Sequence, residues 1–209
     1  MISTKPKPFR GFTGFLVRLA LNNASFVSVR DAYSYAVVKL TGVCSRVIIE
    51  EGLAFRLSVP DMTECRDLAA KYGLLEGRIL GINLRTLDDD TNNAVVECVI
   101  KLVRDFLSSG YSKVVFIPFG FGSFEGRFFD NDLIVAKLLK RRIPQLSVIN
   151  EELSPRRILC LFNYLDHIIA MRHHAIIFAL LVGKPLTTIV YDTKTLESLR
   201  RGTTSKLFK

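Results

Sequence analysis

Asp166-His167-Ile168-Ile169-Ala170 runs without a break into Met171-Arg172-His173-His174-Ala175-Ile176-Ile177-Phe178, and this junction decides the fold. Residues 167–170 form a short, nearly continuous apolar run. Such a run suits a parallel strand buried on both faces. From residue 172 to 182 the apolar residues continue over helical length, and Gly183 stops them. A strand that feeds directly into a buried helix is half of a βαβ unit.

The same pattern repeats on both sides of the junction. Further strands are predicted at residues 79–82, 114–117, 146–149 and 186–190. Helices are predicted between them. Residues 91–108 place Val95, Val99, Leu102, Val103 and Phe106 at helical spacing before Gly110. Residues 132–142 form the next helix. Ser154-Pro155 opens another, with a Ser cap and Pro at the first helical position. This alternation predicts an α/β fold with a Rossmann-like, doubly wound, mostly parallel sheet.

We assign residues 77–209 to this domain, with 77–195 as its firm core. Residues 1–76 read as a lead-in helix and a small α/β segment, expected to pack with the rest as one compact unit. Its helix at 12–21 puts Phe12, Phe15, Leu16 and Leu19 on one face. A strand at 24–29, a helix at 31–40, a strand at 46–49 and a helix from an Asp61 cap to Tyr72 follow.

The chain has 209 residues, 49% of them apolar, which is enough for a packed core. No apolar run is long enough to read as a transmembrane helix. The basic, then apolar N-terminus resembles a signal peptide only in outline. Arg18 interrupts the apolar run and no small-x-small cleavage site follows. Cys44, Cys65, Cys98 and Cys160 show no CxxC spacing and each has apolar neighbours. They are expected to be buried free thiols in a reducing compartment, with no metal site.

The formal net charge is +9. Basic clusters stand at Lys5, Lys7 and Arg10, at Lys137, Lys140, Arg141 and Arg142, and at Arg200, Arg201, Lys206 and Lys209. None interleaves aromatics in a nucleic-acid signature, so a nucleic-acid partner is not expected. Basic ends do suit an anionic membrane surface. The expected location is cytoplasmic, peripheral at the inner membrane face.

In open α/β sheets, ligands gather at the carboxyl ends of the strands, where helix N-termini favour anions. Arg85, after the first strand of the domain, is either an anion ligand or the partner of Asp88, Asp89 or Asp90. The loop from Pro118 to Arg127 has Gly120, Gly122 and Gly126 in G-x-G-x-x-x-G spacing, one residue off the dinucleotide fingerprint. It reads as a substrate-side loop in which Ser123, Glu125 and Arg127 face a ligand. Asp130 and Asp132 are alternatives for capping the next helix. Arg172, His173 and His174 fall in the first turn of a buried helix, combining a fixed cation with proton-transfer groups. Tyr191, Asp192 and Lys194 follow the last strand and line the same cleft; the alternative is an Asp192 cap with a solvated Lys194.

These pieces carry a resemblance. MRHHAIIFALLVGKPLTTIVYDTK, residues 171–194, is similar to the C-terminal signature of polysaccharide pyruvyl transferases, with its Met-Arg-Leu-His-Ala, Gly-x-Pro and Tyr-Asp-x-Lys. VSVRDAYS at 27–34 resembles the family's Arg-Asp-x-x-Ser motif, and GINLR at 81–85 and VVFIPF at 114–119 resemble its sheet strands. The resemblance covers nearly the whole chain. It implies the C-terminal half of a GT-B-like enzyme whose N-terminal domain is missing. Such an enzyme transfers pyruvyl from phosphoenolpyruvate to a sugar as a ketal. The signature Arg and His fall on Arg172 and His174, and His173 replaces the usual Leu.

The implied roles are His174 as general acid and Arg172, Arg30 and Arg85 as anion ligands, with His173, Tyr191 and Lys194 also on substrate. No cofactor is implied beyond phosphoenolpyruvate as donor substrate. The acceptor is a glycan or lipid-linked sugar, and a homo-oligomer or a partner would supply the missing domain. Two other readings stay open: a GT-B glycosyltransferase using a nucleotide sugar, and a non-catalytic anion- or sugar-binding module.

Overall fold

The computed structural model describes residues 6–29, 31–50, 53–122 and 131–190. These fall into two compact units that divide between Arg56 and Leu57.

The first unit holds α1 (Gly11–Asn22), β1 (Val27–Val29), α2 (Ala32–Leu40), β2 (Val47–Ile49) and a 3-10 turn, Leu53–Arg56. β1 and β2 pair in parallel, with Val27 opposite Val47. Asp31 starts α2, its carboxylate accepting from the Ser34 N–H at 2.6 Å. Two contacts tie α1 down at its ends. The Phe9 N–H donates to Thr41 Oγ1 at 3.1 Å. The Asn22 side-chain oxygen accepts from the Cys44 N–H at 2.7 Å and the Ser45 N–H at 3.3 Å.

The second unit holds α3 (Met62–Lys71), β3 (Ile79–Asn83), α4 (Asp89–Ser108), β4 (Lys113–Phe116), α5 (Leu133–Arg142), β5 (Leu146–Val148), α6 (Pro155–Asn163), β6 (His167–Ala170), α7 (His173–Leu181) and β7 (Leu186–Thr188). The five strands form one sheet in the order β5-β4-β3-β6-β7, every pair parallel. This is the Rossmann-like, doubly wound α/β arrangement expected from the alternation of strands and helices. Every residue of β3 is buried, as a central parallel strand requires.

Leu80, Ile82, Val114, Phe116 and Ile169 meet Val99, Ile100 and Val103 of α4 and Val135 and Leu139 of α5 on one side of the sheet. α6 packs against both α3 and α7. Phe162 of α6, Phe178 of α7 and Phe119 after β4 cluster with ring centroids 5.7–6.1 Å apart. Gly81 is fixed by space: a Cβ there would stand 2.4 Å from Leu165 Cδ1. Gly183 ends α7 at φ +67°, a conformation that side chains with a Cβ resist.

α3 belongs with the second unit, so the division lies before this helix rather than after it at 76. Regular strand–helix alternation begins only at β3, which is why the pattern alone does not enrol α3. Contacts distant in sequence do so. Arg156 grips both carboxylate oxygens of Glu64 at 2.7 and 2.9 Å. Cys65 is bonded to Cys160, with Cα atoms 5.1 Å apart. This disulfide corrects the expectation of four buried free thiols: two are joined, and Cys44 and Cys98 are exposed. Cys65 and Cys160 lie 95 residues apart, so no spacing motif announces the pair.

Candidate active site

β3, β4 and β5 extend the sheet in one direction, and β6 returns to the other side of β3. The strand order therefore reverses between β3 and β6, and a ligand crevice forms outside the carboxyl ends of such a pair. Asn83, the last residue of β3, stands opposite Ala170, the last of β6. The Met171 N–H donates to the Asn83 carbonyl at 2.9 Å. Arg85 and Arg172 each follow two residues after this matched pair. Two guanidinium groups thus leave adjacent strand ends.

The loop after β3 is held firmly. The Thr86 hydroxyl donates to the Asn131 carbonyl at 2.6 Å. The Asn92 amide brackets Leu87, donating to its carbonyl at 2.8 Å and accepting from its N–H at 2.9 Å. Asp88 caps α4 through the Thr91 N–H at 3.0 Å. Arg85 is half-buried and its Nε is enclosed by protein.

Arg172 occupies the N-cap position of α7 in extended conformation, and its side chain makes no cap bond. It turns instead to Asp132. Nε donates to Oδ2 at 2.8 Å and Nη2 to Oδ1 at 2.7 Å. This two-pronged geometry fixes the guanidinium plane. The Asp132 side chain is fully buried and that of Arg172 is 19% exposed. Asp132 Oδ2 also accepts the Phe119 and Gly120 N–H groups, each at 2.9 Å. One carboxylate therefore joins the loop after β4 to the residue that opens α7, and it balances the arginine's charge inside the protein.

Sequence reasoning left Asp132 as a choice between two caps for α5. It does occupy the N-cap position, but its side chain makes no cap bond; Asn131 Oδ1 takes the Leu133 N–H at 3.0 Å. A helix-start Asp looks like a cap, and nothing in the sequence couples it to an arginine 40 residues on. Asn83 was also missed. It is 1% exposed, its Nδ2 donates to the Ile117 carbonyl at 2.7 Å, and its Oδ1 meets no donor among the described residues. An amide ending an apolar strand was the available signal.

His173 and His174 open α7 with rings 5.6 Å apart and 73° to one another. Neighbours on a helix point about 100° apart, so they serve different surroundings. His173 is half-buried and His174 exposed. Loss of hydration and then the charge of Arg172 hold the His174 imidazole below its ordinary pKa. The neutral ring is thereby favoured near neutral pH.

Arg85, Arg172, His173 and His174 thus follow the two strands that flank the reversal. Arg30, Tyr191 and Lys194 lie outside the described residues, as do Ser123, Glu125, Arg127, Asp130 and Asp192. The described ends of the glycine loop meet: Phe121 bridges Asn131, and the Asp132 N–H donates to the Gly120 carbonyl at 2.9 Å. No group of three or more metal-ligating side chains stands together among the described residues.

A family model described as polysaccharide pyruvyl transferase matches residues 2–193. No curated protein sequence matches the chain. Among solved structures, the chain is similar to Anabaena HepE in complex with UDP-glucose, with 13% identity, a TM-score of 0.46, and coverage of 93% of this chain and 58% of that one. A trehalose-6-phosphate synthase, OtsA, gives 10% identity, a TM-score of 0.46, and coverage of 91% and 54%. E. coli ADP-heptose lps heptosyltransferase II gives 12%, 0.44, 93% and 80%. The chain therefore spans less than two thirds of the length of the first two.

Proposed function

Because the chain belongs to the polysaccharide pyruvyl transferase family, we propose that it transfers a pyruvyl group from phosphoenolpyruvate to a sugar, forming a ketal and releasing phosphate. The observation that carries this reading is Arg172. It stands at the reversal of strand order, within the family's signature segment, oriented by Asp132 and followed directly by two histidines.

Phosphoenolpyruvate brings a carboxylate and a phosphate, and both suit guanidinium forks. Arg172 and Arg85 take these groups, and Arg30, from the Arg-Asp-x-x-Ser motif, is a third anion ligand. The pairing of Arg172 with Asp132 holds the guanidinium in one plane before substrate arrives, a form of preorganisation. In the reaction a sugar hydroxyl attacks the enol carbon and the methylene gains a proton to become methyl. The carbon–oxygen bond to phosphate then breaks, and a second hydroxyl closes the ketal. Phosphate carries away a proton.

His174 supplies the methylene proton. Loss of hydration and then the charge of Arg172 hold its imidazole below its ordinary pKa, and the negative charge of the bound donor favours the protonated form. Binding therefore charges the acid where it is used. His173, Tyr191 and Lys194 belong to the acceptor and donor surroundings in this reading.

The same reading places the chain in the cytoplasm at the inner face of a membrane, acting on a glycan or lipid-linked sugar. Its partner in this reading is a second copy of the chain or another protein. The Cys65–Cys160 bond tests that placement, because cytosolic thiols are ordinarily kept reduced.

The first experiment is calorimetric titration of the chain with phosphoenolpyruvate, comparing wild type, Arg172→Lys and His174→Ala. Wild type binds, Arg172→Lys binds weakly because a point charge cannot replace the fork, and His174→Ala binds but fails to turn over. Preference for a nucleotide sugar over phosphoenolpyruvate would replace the donor class. Binding with no transfer to any acceptor would make the chain a binding module.

A further inference from the structure

The first helix wears its apolar side outward. On α1 the packed side is set by Gly14, which is buried, and by Val17 and Leu21, which are half-buried. A Cβ at Gly14 would stand 2.5 Å from the Phe9 carbonyl oxygen, so the chain entering the helix crosses that side. A methylene of Arg18 lies over Gly42. The opposite side is formed by Phe12, Phe15, Leu16 and Leu19, spaced i, i+3, i+4 and i+7. They are 76%, 52%, 46% and 52% exposed, and the rings of Phe12 and Phe15 stack at 6.5 Å. Phe9 and Phe26 add exposed aromatic surface beside the helix. An ordinary surface helix is arranged the other way round.

The charges nearby have one sign. Between Met1 and Arg30 there is no Asp or Glu, while Lys5, Lys7, Arg10, Arg18 and Arg30 are basic. Lys7 and Arg10 are exposed at the start of the helix. A helix about 18 Å long, with an exposed aromatic stripe and basic flanks cleared of acid, has the chemistry of an element that lies in a lipid headgroup layer. A protein partner does not require acid to be excluded from a whole segment, and an anionic surface does. We infer that α1 docks this protein on an anionic membrane leaflet, with Phe12, Phe15, Leu16 and Leu19 entering the acyl boundary and Lys7 and Arg10 meeting the lipid phosphates. Among the described residues no helix is long and apolar enough to cross a membrane, so the attachment lies in the plane of one leaflet. This inference deepens the membrane placement given under the proposed function and does not depend on pyruvyl transfer.

The test is co-sedimentation of the full chain with vesicles of phosphatidylcholine alone and of phosphatidylcholine mixed with phosphatidylglycerol. Each basic residue near an anionic surface strengthens binding roughly fivefold, so the wild type is expected to prefer the mixed vesicles by at least about tenfold and to lose that preference in high salt. Phe12→Ser/Phe15→Ser/Leu19→Ser is expected to cost more than about tenfold in vesicle affinity, with an unchanged melting temperature because these side chains are exposed. Lys7→Glu/Arg10→Glu is expected to abolish the anionic preference. Any of three results overturns the inference: no wild-type binding to mixed vesicles, undiminished binding by the triple serine variant, or a wild-type dimer in sedimentation equilibrium that this variant dissolves without any vesicle binding. The last would give the stripe to a second copy of the chain. Phosphoenolpyruvate titration of the triple serine variant keeps the two readings separate, since it is expected to match wild type.

Discussion

Replacing Asp132 with asparagine keeps the volume and removes the charge. In the wild type, Oδ2 receives Arg172 Nε and the Phe119 and Gly120 N–H groups, and Oδ1 receives Arg172 Nη2. An amide has only one acceptor oxygen. Placed at the Oδ2 position it keeps three donors satisfied, but its NH2 then faces the Nη2 donor. The reverse orientation sets the NH2 against three donors and loses more. Asp132→Asn therefore forfeits one charge-assisted hydrogen bond, worth about 1.5–3 kcal/mol, and strips a guanidinium 19% exposed of its counter-charge. Breaking a buried pair from one side costs about 3–5 kcal/mol, and the residual exposure of Arg172 sets the expectation near the lower end, about 3 kcal/mol. Urea unfolding followed by circular dichroism measures it. Arg172→Met is expected to destabilise in the same range. The double variant should lose less than the sum of the singles, with a coupling of about 2 kcal/mol. A cost below about 1 kcal/mol for Asp132→Asn, or additivity within about 0.5 kcal/mol, would refute the pair as an energetic unit.

Other consequences can be checked on the same protein. Cys65→Ser/Cys160→Ser, or reduction of the wild type, should cost about 2–4 kcal/mol because the bond closes a long loop; a non-reduced peptide map lacking a Cys65–Cys160 linkage would end that expectation, and a thiol reagent should label Cys44 and Cys98 alone. Gly81→Ala should cost about 1–3 kcal/mol through overpacking against the buried Leu165, and a neutral result would mean that Leu165 yields. His167 is held below its ordinary value of 6.5 by burial, and His174 by burial and Arg172. A depressed histidine contributes stability that is present above 6.5 and lost as pH falls through the folded value. Urea midpoints should therefore decline below that pH and decline less in His167→Gln; midpoints that rise on acidification would contradict this.

Much of the fold was legible because parallel strands advertise themselves. The runs at residues 79–82, 114–117, 146–149 and 167–170 each fall within about a residue of an observed strand. Ser154-Pro155 marks the start of α6 through cap chemistry that needs only neighbours in sequence. What stayed hidden depends on partners far apart along the chain. α3 looks like part of the lead-in segment until Arg156 and Cys160 reach it. Cys65 and Cys160 read as core thiols because apolar surroundings fit a thiol or a disulfide equally. At the candidate site, Arg85, Arg172, His173 and His174 were singled out from strand ends alone. Asp132 was not, because a helix-start carboxylate has a local explanation that conceals the distant one. The outward stripe of α1 was visible as spacing, but the direction in which it faces is set by where Gly14 packs.

The carboxylate of Asp132 also has a consequence for variation. Phe119 and Gly120 on one side, and Asp132 itself on the other, bracket residues 121–131, and Phe121 bridges Asn131 at the neck. The two stems of this excursion are already joined, so lengthening it between 123 and 130 adds only a slowly growing closure entropy. Through Asp132 the arginine is anchored to these stems. An engineer can therefore vary the length between 123 and 130 while the hydrogen bonds at 119, 120 and 132 keep the guanidinium in register.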